Sequence, residues 1–241
     1  MPTPSPSRSQ SRSSRRDSAT PPRPRPLDAL PYAHRLSPFS GEIEPEGVYE
    51  WLHFDGSALE DLDGESSRFS ESAFSSVTFT GGGYRRSRFD DVWLNAVRMV
   101  GTDLSETTWL NSECSAGILA GTEIHSAGMH RVVFHGCKFD SVNLRGAALR
   151  DVAFVDCLLR DVDFGGATLT GTSFPGSTLD GVHLRKATLA DVGLHEAAGL
   201  HIASGLEALN GATISSTQLL DLAPALAQVI GLTVRDGAGR P

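Results

Sequence analysis

The sequence has little of what holds small secreted domains together or anchors a chain in a bilayer. It contains three cysteines in 241 residues, and an odd, unclustered set gives no disulfide framework. Cys137 and Cys157 lie 20 residues apart and are expected to be buried as small apolar fillers, with a disulfide or a metal pair as the alternative. No apolar run approaches the 18 residues of a membrane-spanning helix. We therefore expect a cytoplasmic protein with no membrane partner.

Patterns typical of enzyme sites are also missing. No glycine-rich phosphate loop leads into a helix, and Ser173 and Asp163 have no positioned base partner. His125, His130 and His135 recur every five residues, which predicts three solvated corner positions that do not converge on one metal ion. The sequence predicts a non-enzymatic chain with no cofactor, no metal site and no catalytic residues.

Positive charge is scarce outside the first 40 residues. Residues 41–241 carry 14 Lys+Arg against 27 Asp+Glu, a net charge of −13, whereas residues 1–40 carry seven Arg and two Asp, a net charge of +5. The acidic part disfavours direct binding to nucleic acid phosphates. The Pro/Ser/Arg-rich composition of residues 1–40 predicts a disordered basic tail. A role for this tail in contacting an anionic partner is the functional alternative.

The chain has instead a period of five residues. From Phe54 to Leu194 a large apolar residue returns at every fifth position, with Gly64 as the exception. A small or β-branched residue precedes each of these by two positions over most of the run, as Val142, Ala147 and Val152 do. A helix returns to one face after 3.6 residues and a strand after two. A period of five therefore requires a turn in every unit and indicates a solenoid.

The units 142–146, 162–166 and 167–171 read Val-Asn-Leu-Arg-Gly, Val-Asp-Phe-Gly-Gly and Ala-Thr-Leu-Thr-Gly. They resemble the A-(D/N)-L-x-x motif of pentapeptide-repeat proteins. The resemblance implies an all-β fold, a right-handed quadrilateral parallel β-helix of about seven coils with four units per coil. Inward residues would then stack in steps of 20, which places Phe134, Phe154 and Phe174 above one another.

The period and its ends predict five segments. Residues 1–40 are the disordered tail, 41–65 an N-terminal cap with a first irregular coil, 66–198 the regular β-helix, 199–232 a helical C-terminal cap and 233–241 a flexible tail. In the cap, Ser215 or Ser216 is expected to begin a helix, Pro224 to divide it in two and Gly231 to end it. An apolar stripe is expected to cover the end of the solenoid and, by resemblance to quinolone-resistance members of the family, to support a homodimer: Leu219, Leu222, Leu226, Val229 and Ile230.

Carboxylates recur at the turns of the repeat. The candidate partner-binding acidic edge comprises Glu71, Asp91, Asp151, Asp156, Asp161 and Asp191. A rod with regular carboxylates resembles the charge and width of a DNA duplex, and the resemblance to quinolone-resistance members implies binding to DNA gyrase or topoisomerase IV and protection from topoisomerase poisons. Cations at Arg85, Arg145 and Arg185 dilute this charge. The alternative is a general protein–protein interaction scaffold whose partner docks on the basic tail or on that cationic edge, and acidity serving solubility alone is the simplest explanation.

Overall fold

A computed structural model describes residues 23–234 as a four-sided parallel β-helix. Pairing in its regular part joins residues 20 apart, such as Phe54 with Phe74 and Cys114 with Phe134. Twenty residues are four units of five, so the predicted four-cornered coil is confirmed. Two of its sheets are eight strands deep, which gives about eight turns where the sequence predicted about seven.

Four faces follow one another around each turn, and we number them in chain order. Face 1 is the sheet Val48–Glu50, Arg68–Ser70, Arg88–Asp90, Thr108–Leu110, Gly128–His130, Ala148–Arg150, Thr168–Thr170 and Thr188–Ala190. Face 2 is the sheet Ser37–Pro38, Leu52–Asp55, Ala73–Ser75, Trp93–Asn95, Glu113–Ser115, Val133–His135 and Ala153–Val155. In the last turn the strands Val192–Gly193 and Ala212–Thr213 pair with each other.

The other two faces differ in how much strand they contain. Face 3 is the sheet Ala58–Glu60, Thr78–Thr80, Arg98–Val100, Ile118–Ala120, Lys138–Asp140, Leu158–Arg160, Thr178–His183 and Gly199–Ser204. Face 4 consists of tight turns joined by single bridges at Asp63, Gly83, Asp103, Glu123, Asn143, Asp163 and His183. The edge between two faces is named by their numbers, so that edge 1–2 lies between face 1 and face 2.

The interior is packed by the two residues of each unit that the period predicted. The rings of Phe134, Phe154 and Phe174 stack at centroid distances of 5.1 Å and 5.1 Å, and small residues such as Ala147 fill the corners between columns. Departures from Leu and Phe in the middle of the rod leave an apolar cavity of about 20 Å³ beside Trp109 and Cys114. A smaller apolar cavity of about 10 Å³ lies beside Leu169 and Leu194, and the buried apolar residues form one cluster along the rod.

Each edge is turned by one residue in the left-handed region of backbone conformation. Asp91, Asp151 and Asp161 have φ of 52°, 53° and 50°. Residues other than glycine are disfavoured in this region, and among them Asp and Asn tolerate the left-handed conformation best. The acidic character of the edges therefore has a local conformational cause as well as any functional one.

The prediction that disorder extends to residue 40 is wrong for residues 23–40. This arm contains short 3₁₀ helices at Leu27–Ala29 and Ala33–Arg35 and the strand Ser37–Pro38. Leu30 and Tyr32 are buried against face 2, because the apolar residues of the predicted tail are concentrated in residues 27–40. Residues 1–22 of the predicted tail, and residues 235–241 of the predicted C-terminal tail, lie outside the described residues.

The coil predicted to be irregular within residues 41–65 is regular from residue 48 onward. Tyr49 takes the inward position and its ring stacks on Phe69 at 4.9 Å. Gly64 lacks a side chain because a Cβ there would lie 2.6 Å from the ring of Tyr84 in the next turn. Ile43 and Phe39 close this end of the core, with Phe39 stacked 4.2 Å from Phe54.

The C-terminal boundary also differs from the prediction of a cap beginning at residue 199. Residues 199–213 form one more turn of the solenoid, because a one-residue shift lets Leu200 pair with Leu179 after the period fails at Gly199. A 3₁₀ helix at Leu206–Leu209 lies in this turn. The shift interrupts the period of five residues, so the sequence pattern did not predict this turn.

A single helix, α1 (Ser216–Val229), follows this last turn. The predicted division at Pro224 is wrong: proline removes one N–H, but the carbonyl that it would have bonded belongs to Leu220, which is 74% exposed and open to water. Ser215 is the N-cap and forms a capping box with Gln218, as one of the two predicted alternatives. Gly231 has φ of 75° just beyond the helix and ends it as predicted.

Candidate protein-interaction surfaces

The six candidate carboxylates occupy three edges of the rod. Edge 1–2 reads Trp51, Glu71, Asp91, Asn111, Arg131, Asp151, Gly171 and Asp191 in successive turns. It therefore contains four of the six and is interrupted by a cation. Asp156 lies on edge 2–3 and Asp161 on edge 3–4. The predicted single acidic edge is a set of patches.

Several carboxylates of edge 1–2 have partners. Glu71 accepts a hydrogen bond from the indole of Trp51 and lies 3.5 Å from the guanidinium of Arg35. Asp151 lies 3.5 Å from the imidazole of His130. Asp91 and Asp191 are exposed corner residues. Asp151 also lies 3.9 Å from Nε of Arg150, so the charge available to a partner on this edge is greatest at Asp91 and Asp191, with Asp151 exposed but shared with a cation.

The corner carboxylates also contact the turn that follows them. A Cβ added to Gly171 would lie 2.8 Å from Oδ1 of Asp151, and one added to Gly181 would lie 2.7 Å from Oδ1 of Asp161. These side chains therefore lean along the edge over a glycine one turn later. The pairing of Asp with Gly at a separation of 20 residues is part of the turn architecture.

Two of the three cations that dilute the acidity, Arg85 and Arg145, are paired on face 4. Arg85 lies 3.1 Å from Glu106, and Arg145 lies 3.0 Å from Asp163. Asp163 also accepts the backbone N–H of Gly165 at 2.7 Å, an Asx-turn contact. At Arg85 and Arg145 the cationic edge proposed from the sequence as a docking stripe thus consists of exposed ion pairs, each of small energetic value.

Face 2 differs from the other faces in being nearly free of charge. Its outward positions after the first turn are Ala73, Ser75, Trp93, Asn95, Glu113, Ser115, Val133, His135, Ala153, Val155, Ser173 and Pro175. The arm lies along this face. Leu30 and Tyr32 pack with Ala73 and Trp93, and the burial of Tyr32 raises the pKa of its phenol.

Among the outward positions from Ala73 to Pro175, the single carboxylate is Glu113, which is buried and binds the arm. The side chain of Glu113 is 7% exposed. Its two oxygens accept hydrogen bonds from Arg25, one from the backbone N–H at 2.7 Å and one from Nε at 2.7 Å. Trp93 Nε1 donates to the carbonyl oxygen of Arg25 at 2.9 Å. Beyond this contact an open groove of about 570 Å³ continues along the face, lined by Arg23, Pro24, Asn95, Ser115, Ala116, His135, Gly136, Val155 and Asp156.

The three histidines lie on three different faces, so the prediction that they do not converge is confirmed. The prediction that all three are solvated corners is wrong for His130 and His135, which are strand residues of faces 1 and 2, and His135 is 5% exposed. Its Nε2 lies 4.0 Å from Glu113 Oε1. Burial lowers the pKa of His135, and the nearby carboxylates of Glu113 and Asp156 oppose this only in part.

This burial gives a pH dependence to folding. Because the pKa of His135 is lower in the folded state than the usual value of about 6.5, the unfolded chain takes up the proton first as pH falls. We expect the His135 contribution to stability to be lost below about pH 6.5, with a slope of at most about 1.4 kcal/mol per pH unit. Denaturant titrations between pH 7.5 and pH 5 should show a shallower slope for His135→Gln than for the wild type.

Ser115→Ala is the control for this measurement, because Ser115 is the residue that pairs with His135 on the same face and has no titrating group. It should leave the slope as in the wild type. Equal slopes for wild type and His135→Gln would contradict the assignment.

The three thiols lie together in the interior. Cys114, Cys137 and Cys157 are free and buried, which confirms the predicted packing role. Cys137 Sγ donates to Cys114 Sγ at 3.7 Å, and the N–H of Cys137 donates to Cys157 Sγ at 3.4 Å. A hydrogen bond with Cys114 raises the pKa of Cys137, and one with Cys137, together with burial, raises the pKa of Cys157. The thiolate forms are therefore disfavoured.

Helix α1 caps the core with only part of its apolar surface. Leu222 is buried, Leu226 packs on the core, and the amide of Gln218 donates to the carbonyl of Leu194 at 2.8 Å. The other predicted stripe residues remain exposed: Leu219 by 50%, Val229 by 49% and Ile230 by 69%. A second groove runs along the outer side of the helix, lined by Leu220, Ala223, Pro224, Ala227, Gln228, Leu232 and Val234.

Between residues 23 and 234, no group of three or more His, Cys, Asp or Glu side chains is arranged to hold a metal ion. None of the helices in the same range combines the length and hydropathy needed to cross a bilayer.

Comparison with known families and structures gives a partial match. Residues 111–198 match the family model described as a pentapeptide repeat region. A comparison with curated proteins gives no match. Among solved structures, QnrB1, described as a plasmid-mediated fluoroquinolone resistance protein, is 15% identical, with 79% of this chain and 100% of that chain covered and a TM-score of 0.33.

Two other solved structures belong to pentapeptide repeat proteins of photosynthetic organisms. One, from the Arabidopsis thaliana thylakoid lumen, is 20% identical, with 52% of this chain and 72% of that chain covered and a TM-score of 0.33. HetL, from a Nostoc cyanobacterium, is described as involved in heterocyst differentiation regulation. It is 18% identical, with 73% of this chain and 93% of that chain covered and a TM-score of 0.20.

Proposed function

Because residues 111–198 of this chain are a pentapeptide-repeat region, we propose that the protein is a non-enzymatic, cytoplasmic protein-binding rod. Its acidic edge 1–2 occupies the DNA site of a type II topoisomerase, DNA gyrase or topoisomerase IV. Binding there would protect the enzyme from a topoisomerase poison or modulate its supercoiling. The proposal combines the resemblance of the repeat units to those of quinolone-resistance members with the acidity of the rod.

The observation that supports this role is the net charge of −13 over residues 41–241, together with exposed carboxylates at Asp91, Asp151 and Asp191 on one edge. Successive turns rise by about 4.8 Å, so about eight turns span about 38 Å. An enzyme surface built to bind phosphates attracts such a rod over a distance and orients it on approach. Because the three carboxylates lie on one edge, this attraction is strongest on that side of the rod.

A supercoiling assay with purified gyrase tests the proposal. We expect the wild type to inhibit supercoiling, or to relieve inhibition by a quinolone, at micromolar concentration. The triple variant Asp91→Asn, Asp151→Asn and Asp191→Asn should require about ten times more protein, since three exposed charges at about 0.5 kcal/mol each give about 1.5 kcal/mol, and about 1.4 kcal/mol is a tenfold change. Asparagine retains the left-handed corner conformation.

The matched control changes the same chemistry on another edge. Asp61 and Asp161 are corner residues of edge 3–4 with the same backbone conformation, and replacing both by asparagine should leave the gyrase effect within about twofold of the wild type. Absence of any effect of the wild type at micromolar concentration would refute topoisomerase binding.

The second candidate function is a general interaction scaffold with another protein partner, and the low charge of face 2 favours it. In either case the exposed part of α1 is the proposed contact for a homodimer, through Leu219, Val229 and Ile230. Sedimentation of the wild type against Ile230→Glu would measure this contact: a dimer that becomes a monomer supports it, and an unchanged mass counts against it.

A further inference from the structure

The contact between Arg25 and face 2 involves main-chain groups of Arg25 as well as its side chain. Glu113 accepts the backbone N–H and the guanidinium Nε of Arg25, and Trp93 donates to its carbonyl. Pro24 and Pro26 flank the arginine, and Pro26 has φ of −72° and ψ of 158°, the polyproline II conformation. Any extended segment with an arginine between prolines offers the same three groups.

Such recognition follows a general pattern. Proline-rich segments bind aromatic-lined grooves because their extended form is already ordered and its carbonyls are accessible. Here an indole supplies the donor and a buried carboxylate supplies charge-assisted acceptance. Glu113 is the sole acidic residue among the outward positions of face 2 from Ala73 to Pro175. The arm buries this carboxylate, and a bound segment that covers it without supplying N–H or cationic partners would leave a costly unpaired charge, so the site favours an occupant of this chemistry.

The occupant in the structure is held by few contacts at this end. The Arg25 side chain is 46% exposed, and the next strongly buried arm residue is Leu30. The groove continues beyond Arg23 past Asn95, Ser115 and Val155, so a longer extended segment has room. The sequence Arg23-Pro24-Arg25-Pro26 repeats the same dipeptide, so it carries the recognised pattern twice.

We propose that Trp93, Glu113 and the adjoining groove of face 2 form a recognition site for a proline-flanked arginine in an extended segment of a partner protein. The chain's own Arg25 fills this site and is displaced by the partner. The site lies on a different surface from the carboxylates of edge 1–2 proposed to bind topoisomerase, and it does not depend on that proposal.

A labelled peptide with the sequence of residues 20–28, Thr-Pro-Pro-Arg-Pro-Arg-Pro-Leu-Asp, tests the site by fluorescence anisotropy with the full chain. The variant Arg25→Ala should bind it at least about tenfold more tightly than the wild type, because the tethered arm competes at millimolar effective concentration. Arg98→Ala, which removes an exposed arginine of face 3, is the matched control and should bind as weakly as the wild type.

Two second-site variants in the Arg25→Ala background identify the site. Glu113→Gln and Trp93→Phe should each weaken peptide binding by about tenfold or more, through loss of the acceptor charge and of the indole donor respectively. A scrambled peptide of the same composition should bind more weakly than the native order. If circular dichroism shows that Arg25→Ala does not fold, peptide binding is compared between the wild type and Arg25→Lys instead. Lysine keeps the cation but not the two-point contact.

Three outcomes would overturn the recognition site itself. They are equal affinity of wild type and Arg25→Ala, binding that survives Glu113→Gln, and equal binding of the scrambled peptide, which would indicate attraction to the acidic rod alone. A wild-type dimer that the peptide dissociates would assign the displacing segment to a second copy of this chain and overturn the assignment to a different protein. The gyrase assay is unaffected by any of these results.

Discussion

Phe154→Ala is expected to lower the free energy of unfolding by about 3–5 kcal/mol, the range for removing a buried aromatic ring from a packed core. Phe154 is fully buried and stacks on Phe134 and Phe174 at 5.1 Å on each side. Neighbouring turns are fixed by strand pairing, so the cavity has little freedom to collapse. Urea or guanidinium unfolding followed by circular dichroism measures the loss.

Phe154→Leu is the matched control, since leucine holds the inward position at Leu149 and Leu159 in the same turn. It should cost about 1–1.5 kcal/mol, as a volume-reducing exchange between apolar residues. A loss below about 1 kcal/mol for Phe154→Ala would contradict a rigid, continuously stacked interior.

Gly205→Ala should open the last turn of the solenoid and release α1. Gly205 has φ of 91°, and a Cβ there would overlap the backbone of Leu184 and Arg185 in the turn below. Strain at the backbone and a clash with main-chain atoms that cannot move aside should together cost about 3 kcal/mol or more. Amide hydrogen exchange over residues 199–229 should show the loss of protection, while the turns before residue 178 stay protected.

Gly231→Ala separates the two causes. Gly231 also has a positive φ, 75°, but a Cβ there meets nothing within 4 Å. Its replacement should cost about 1–2 kcal/mol from backbone conformation alone. If both variants had the same effect, the close approach at Gly205 would not be the reason for glycine at that position.

The period of five predicted the fold because it reports packing directly. Each inward residue is repeated at a separation of 20, so Phe134, Phe154 and Phe174 were placed correctly without any distance information. The last turn was missed because a one-residue shift at Gly199 interrupts the period while Leu200 restores the contact. The single helix was missed because the carbonyl that Pro224 leaves without its helical N–H donor belongs to the exposed residue Leu220.

The surfaces were less predictable, since the period does not say what covers an outward residue. Glu113 and His135 read as polar residues at exposed positions, but the arm buries the first and the groove beside the arm encloses the second. One signal was present: the outward column Ala73, Trp93, Glu113, Val133 and Ala153 has one charge among apolar residues. An apolar outward column indicates a covered face, and a lone acid in it indicates a basic partner.

Asp91 and Asp151 were identified from spacing, and the structure confirms their place on one edge. Their left-handed φ adds a reason for aspartate that the sequence alone did not supply. The topoisomerase assay with asparagine at these corners distinguishes the two causes, because asparagine satisfies the backbone and removes the charge.

The constant 20-residue pairing has a consequence for how such a chain can change in length. An insertion of five residues would carry every later side chain on to the next face, so that the successors of Asp151 would leave their edge. A duplication of 20 residues would preserve every face and raise the remainder of the rod by one step of about 4.8 Å. The rod can therefore change in length only by whole turns. A partner that contacts both the Glu113 site and helix α1 would meet a longer distance between them with each added turn.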